Sequence, residues 1–110
     1  MTETNAILPP PVRREVIVFA QQMEIILRQH EDKGGWDGCS EGWLIDRIGQ
    51  ELREVRRAYR AWVGFRDFKN KEEHNQLAKA FQHELIDVAN FCMMAFDVLE
   101  STKDITSGGK

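Results

Sequence analysis

The sequence predicts an all-α fold: a helical bundle of three main helices, with room for a short helical turn in one connector, completed by homo-oligomerisation. Three observations predict it. Apolar residues recur at a spacing of about 3.6 along three separate segments. Glycine-marked breaks divide those segments. The last segment carries Leu85, Ile86, Val88, Ala89, Phe91, Cys92, Met93, Met94, Ala95 and Phe96 almost without interruption. A helix that apolar all round is buried on more than one side. At 110 residues the chain is one domain. Three helices with one strong stripe each make a thin core for that length, so this last helix is expected at the centre of a homo-oligomer, a dimer or a tetramer.

Residues 1–10 read as a flexible N-terminal arm, stiffened at its end by Pro9-Pro10-Pro11 as polyproline II. Pro11 suits the first turn of a helix. The first helix is expected over 11–31, on the pattern Val12, Val16, Phe19, Ala20, Met23, Ile26, Leu27, His30. Glu24 lies beside this stripe and reads as solvated. Gly34 and Gly35 stop the helix and expose backbone amides. In the same loop, Lys33 can reach a phosphate, and the glycine amides can cradle one. Trp36 is either a stacking platform or a lid folded back on the core.

Ser40 is a good N-cap for the second helix, with Glu41 in its first turn. Its stripe is Leu44, Ile48, Leu52, Val55, Tyr59, Trp62, and Gly64 ends it. Arg53, Arg56, Arg57 and Arg60 lie on its outer face. Residues 65–71 form a connector. The third helix starts near Lys71–Glu73 and runs to about Glu100, and 101–110 reads as a disordered tail. The domain proper is 11–100.

Composition narrows the function. Apolar content of 42% with 30% charged residues suits a soluble globular chain, and a net charge of −3 gives no general reason for nucleic-acid binding. No apolar run is long enough to span a membrane, and the N-terminus lacks a signal core, so the expected location is cytoplasmic. Two cysteines, Cys39 and Cys92, make neither a disulfide framework nor a zinc set, and Cys92 reads as a small buried hydrophobe. No P-loop motif is present. His83 reads as a surface histidine.

One phrase occurs twice. Gly49-Gln50-Glu51-Leu52-Arg53-Glu54-Val55 is answered by Gln82-His83-Glu84-Leu85-Ile86-Asp87-Val88. The match extends outward: Leu44 answers Leu77, Ile48 answers Phe81, Leu52 answers Leu85, and Val55 answers Val88. Acids three apart on a helix lie about 60° apart on one face, at roughly 100° per residue. Each pair sits at the same offset from an apolar stripe. If the stripes pack together, Glu51, Glu54, Glu84 and Asp87 converge. Such a cluster repels itself and loses hydration unless it is protonated or finds a cation. Hard oxygen ligands suit Mg²⁺ or Mn²⁺, which keep open positions for water and phosphate. The competing account is two solvated faces, with Glu51 and Glu54 paired to Arg47, Arg53 or Arg57.

Glu51-x-x-Glu54 followed by Glu84-x-x-Asp87 on a long apolar helix resembles the ExxE…ExxD signature of the all-α nucleoside triphosphate pyrophosphohydrolases. These are the MazG-like enzymes, whose relatives include dimeric dUTPases and phosphoribosyl-ATP pyrophosphatases. The resemblance covers roughly residues 12–100 and is closest to the short single-domain type, which also carries a His and then a Trp upstream, here His30 and Trp36. It implies Mg²⁺-dependent hydrolysis of (deoxy)nucleoside triphosphates to the monophosphate and pyrophosphate, as nucleotide-pool housecleaning. It implies Glu51, Glu54, Glu84 and Asp87 as metal ligands and catalytic residues. By the same resemblance His30 and Trp36 would contact base or sugar, Lys33 phosphate, and Asn90 sugar or phosphate, while Trp62 would close the pocket from the far end. The chain departs from the pattern at Gln50, where many relatives have a further acid, and in a long gap between the two pairs. The alternatives are a phosphoribosyl-ATP pyrophosphatase-like enzyme and a non-enzymatic helical dimerisation module.

Overall fold

The computed structural model describes residues 11–65 and 70–108, with side chains described as far as residue 102. The expected N-terminal arm and most of the connector's interior lie outside the described residues. Three α-helices follow in order: α1 (Arg14–Gln29), α2 (Glu41–Gly64) and α3 (Lys71–Gly108), with a short 3₁₀ turn over Glu31–Lys33 between the first two. There is no strand among the described residues. The fold is all-α, as the periodicity predicts.

Each boundary has a local cause. α1 follows Arg13, which is extended and donates no side-chain cap, and Glu15 sits in the first turn where it complements the helix dipole. The chain leaves α1 through His30, whose N–H bonds to the Leu27 carbonyl at 3.1 Å, tightening the last turn. Gly34 then takes φ 85° and ψ 179°. That region is essentially reserved for glycine, so the reversal after the 3₁₀ turn depends on this residue. Ser40 caps α2 as expected, its hydroxyl oxygen accepting from the Trp43 N–H at 3.1 Å.

Asn70 caps α3. Its Oδ1 accepts from the Glu73 N–H at 3.1 Å, and its Nδ2 donates to Glu73 Oε2 at 3.2 Å, a reciprocal cap that fixes the start at Lys71. The far end differs from expectation. α3 does not stop at Glu100, and the backbone of the expected disordered tail is helical through Gly108. The reason is visible in the residues: no glycine or proline interrupts the chain between Glu100 and Gly108.

α2 and α3 make the main packing contact, and α1 packs more lightly across α3. Leu44 is fully buried, and Ile26, Ile86 and Ala95 are the other buried apolar residues among those described. Aromatic rings close the other end: Tyr59 lies 5.8 Å and Trp62 6.0 Å from Phe81, and Trp62 lies 5.7 Å from His74, measured between centroids. The core is as thin as the stripe count implies.

Several expected core positions are open in the single chain. Leu52 is 47% and Tyr59 49% exposed, and Val12, Val16 and Phe19 of the α1 stripe are exposed as well. Cys92, expected to be buried, is exposed. Tyr59 nonetheless meets Phe81 across the α2–α3 seam, and a single seam buries only one stripe of each helix. The radius of gyration is 17.9 Å, against about 13 Å for a compact chain of this length. The excess comes from α3, which at a rise of 1.5 Å per residue is about 57 Å long.

Two substitutions test this packing by urea unfolding followed by circular dichroism. Leu44→Ala is expected to cost about 2–5 kcal/mol, because it empties a fully enclosed site. Asn70→Ala is expected to cost about 1 kcal/mol through loss of the α3 cap.

Candidate functional site

The contacts between α2 and α3 run in opposite senses along the chain. Trp62 meets His74 and Phe81, Tyr59 meets Phe81, and the Arg47 guanidinium lies 4.9 Å from the centre of the Phe91 ring. Moving back along α2 therefore moves forward along α3, and the two helices are antiparallel. Interpolating this register sets Glu51 across from Asp87 and Glu54 across from Glu84. The phrase that occurs twice meets its own copy head to tail. The register brings the two acid pairs to the same level of the seam, and the charges of Glu51 and Glu54 reach Glu84 across it.

Their surroundings are unequal. Among the described residues Glu51 is one of two buried polar residues, at 8% exposure, while Glu54, Glu84 and Asp87 are half-buried. Arg47 Nη2 donates to Glu51 Oε2 at 2.6 Å, and Nη1 of the same guanidinium donates to Gln50 Oε1 at 2.6 Å. Arg57 donates to Glu54 at 3.0 Å. Two of the four acids thus have arginine partners on their own helix, as the solvated-face account expects. Exposed pairs of the Arg57–Glu54 kind contribute little. The Arg47–Glu51 pair is the more sheltered.

The α3 acids lack such partners. Among the described residues Glu84 makes no ion pair with a lysine or arginine. Burial raises its carboxyl above the ordinary value, the charges of Asp87, Glu51 and Glu54 raise it further, and His83 partly opposes them. Asp87 is also raised, chiefly by burial, with His83, His30 and Arg47 opposing. Glu84 therefore feels all three other acids, and Asp87 feels the histidine at the end of α1. His83 Nδ1 lies 3.4 Å from Asp87 Oδ2. One ligand atom each from His83, Glu84 and Asp87 fall within 4.8 Å of one another. This donor set fits a divalent cation: oxygens dominate, they are close together, and among the described residues no lysine or arginine forms an ion pair with them.

Between the end of α1, the loop after it and α3 lies a recess of about 320 Å³, lined by Glu24, Leu27, His30, Glu31, Gly34, Gly35, Trp36 and Met94 and by none of the four acids. Trp36 is half-buried, and its Nε1 donates to Asp97 Oδ2 at 3.0 Å. The loop is therefore stapled to α3, and Trp36 forms a wall of the recess. His30 and Trp36 both line the recess.

Three expected substrate contacts are placed elsewhere. Lys33 is exposed on the 3₁₀ turn and does not line the recess. Trp62 belongs to the aromatic cluster at the far end of α2, packed on Tyr59, Phe81 and His74. Asn90 is 3% exposed and donates from Nδ2 to the Met23 carbonyl at 3.3 Å, so it braces α1 against α3. Its Oδ1 is buried without a hydrogen-bond partner. The physical reason is common to Asn90 and Trp62: both sit on apolar seams, and packing claims them.

Sequence reasoning named Arg47 among the partners of the α2 acids and read His83 as a surface histidine, but it missed the contact of His83 with Asp87 and missed Asp97. Arg47 is four residues before Glu51, and helical spacing alone points to that pair. His83 stands four before Asp87 and is detectable in the same way. Asp97 leaves no local signal, since it meets Trp36 across 61 positions of sequence. The chain matches no family model, no curated protein and no solved structure.

The raised carboxyls give a pH prediction. A folded state that holds protons on Glu84 and Asp87 more tightly than the unfolded chain loses stability as pH rises. The loss begins near the ordinary carboxylate values, 4.5 for Glu84 and 3.8 for Asp87, and is complete above the raised folded values. Without added divalent ions, Glu84→Gln is expected to raise the melting temperature at pH 7 and to flatten its dependence on pH across that window. Thermal melts from pH 4 to 8 in EDTA measure both.

Proposed function

We propose that this chain is a Mg²⁺-dependent nucleoside triphosphate pyrophosphohydrolase of the MazG-like kind, acting in the cytoplasm as a homo-oligomer and releasing pyrophosphate and the monophosphate. The observation that carries the reading is the Glu84 carboxyl. One of its oxygens lies within 4.8 Å of ligand atoms of Asp87 and His83, and burial with the charges of Asp87, Glu51 and Glu54 raises it, a repulsion that a cation would relieve.

Glu51, Glu54, Glu84 and Asp87 would hold the ion, with Mn²⁺ as a substitute. When bound, Mg²⁺ neutralises charge on the phosphates and lowers the pKa of its water. The remaining work belongs to the chain. His30 and Trp36 hold the base and sugar in the recess, where the Trp36 ring offers a stacking face and Leu27 and Met94 exclude water. The Trp36–Asp97 hydrogen bond and the Asn90–Met23 hydrogen bond fix the recess relative to α3. The α-phosphorus is thereby set against the acids, which is a positioning effect. A carboxylate of the cluster takes the proton from the attacking water. Arg47, on the Asp87 side, compensates Glu51 while the ion is absent. The exposed Leu52, Leu85, Phe96 and Leu99 supply the apolar faces on which further copies pack.

One specific observation favours a second reading, a non-enzymatic helical dimerisation module. Glu51 and Glu54 already have Arg47 and Arg57 as partners, as a purely structural polar face requires. A phosphoribosyl-ATP pyrophosphatase is the same chemistry on another substrate.

Pyrophosphate release separates these. The wild type is expected to release pyrophosphate from at least one member of a panel of canonical and modified dNTPs with Mg²⁺, and none in EDTA. Glu54→Ala and Asp87→Ala are each expected to lower the rate by about a hundred-fold or more while keeping the helical circular dichroism signal. Turnover of phosphoribosyl-ATP alone selects that substrate. No release from any of them by a folded protein selects the module.

A further inference from the structure

We infer that His83 is a nitrogen ligand of the same cation site, which gives this chain a site of mixed imidazole and carboxylate character that prefers transition-metal ions to Mg²⁺. The inference rests on the four-acid reading above and adds a residue to it.

The geometry is specific. His83 and Asp87 are four apart on α3 and so share a face. Their nearest atoms, Nδ1 and Oδ2, are 3.4 Å apart. That is long for a charge-assisted hydrogen bond, which closes to roughly 2.7–2.9 Å. It suits two ligands of one ion: donors each about 2.1 Å from a metal sit roughly 3.0–3.4 Å apart in octahedral or tetrahedral arrangements. A Glu84 carboxylate oxygen completes a set of three within 4.8 Å. One nitrogen and two oxygens thus come together on a single helix, and the charges of Glu51 and Glu54 act on Glu84 from the facing helix.

The chemistry follows from ligand type. An all-oxygen set is suited to Mg²⁺, whereas imidazole favours Co²⁺, Ni²⁺ or Zn²⁺, and Mn²⁺ accepts both. His83 is 48% exposed at its side chain, so its ring can turn to an ion without unpacking the core. It also lines the mouth of the groove between α1 and α3, together with Gln22, Lys79 and Gln82. The ion would therefore be reached from this groove as well as from the recess.

The test is electron spin echo modulation of Mn²⁺ bound to the full chain, together with titrations of Co²⁺ and Mg²⁺. The wild type is expected to show ¹⁴N coupling on bound Mn²⁺ and to bind Co²⁺ more tightly than Mg²⁺. His83→Asn is expected to remove the coupling and weaken Co²⁺ binding by about ten-fold or more, with Mg²⁺ affinity nearly unchanged. His83→Gln guards against a local effect of asparagine on the helix, and circular dichroism confirms the fold of both. Mn²⁺ bound without ¹⁴N coupling overturns the inference and leaves the four-acid site standing. Coupling that survives in His83→Asn assigns the nitrogen to another histidine and also overturns it. No bound Mn²⁺ in the folded wild type removes the cation site itself, and the inference with it.

Discussion

The antiparallel seam between α2 and α3 sets the terms for the rest of the molecule. It joins two helices that carry the same pattern of apolar and acidic residues, so the packing that buries Leu44 and Ile86 also brings Glu51 and Glu54 to the level of Glu84 and Asp87. Hydrophobic burial brings the helices together, and like-charge repulsion opposes it at mid-seam. Arg47 and Arg57 compensate the α2 side. Nothing comparable compensates Glu84 among the described residues. A fold that concentrates uncompensated carboxylates beside its own core carries a cost that a cation can offset, and the proposed activity uses that relation.

The surrounding pieces hold this seam to a recess. α1 alone packs lightly, but Asn90 reaches the Met23 carbonyl and the loop after α1 is fastened through Trp36 to Asp97. Gly34, in a conformation other residues avoid, lets the chain reverse so that Trp36 returns to α3. The outcome is a cleft with aromatic and glycine walls. The apolar surface left open on α1 and α3 is larger than a lone chain of this size needs, and the proposed oligomer would cover it.

Much of this was legible in the residues. Helical periodicity gave the three helices, Ser40 marked a cap, and the twofold phrase gave the acid cluster, because each depends on spacing within one helix. What stayed hidden depends on contacts between segments. Asp97 is unremarkable until Trp36 is seen beside it. Asn90 and Trp62 carry polar atoms that suggest a ligand, but their stripes place them in packing. Cys92 and Leu52 look like core, yet one seam has room for only one stripe per helix. The end of α3 was misjudged for a different reason: Ser101 to Ser107 favour polar surroundings without forbidding a helix.

The most direct test of the central claim is the thermal unfolding of the wild type and of Asp87→Asn as Mg²⁺ is titrated from zero. Uncompensated acids that share a cation predict a wild-type melting temperature that climbs with Mg²⁺ and keeps climbing as its logarithm, with stabilisation of about 2.7 kcal/mol at a hundred times the dissociation constant. Asp87→Asn should start more stable without the ion and respond much less to it. Identical wild-type melts at every Mg²⁺ concentration would contradict the account, and would leave the four acids as a polar seam between two helices.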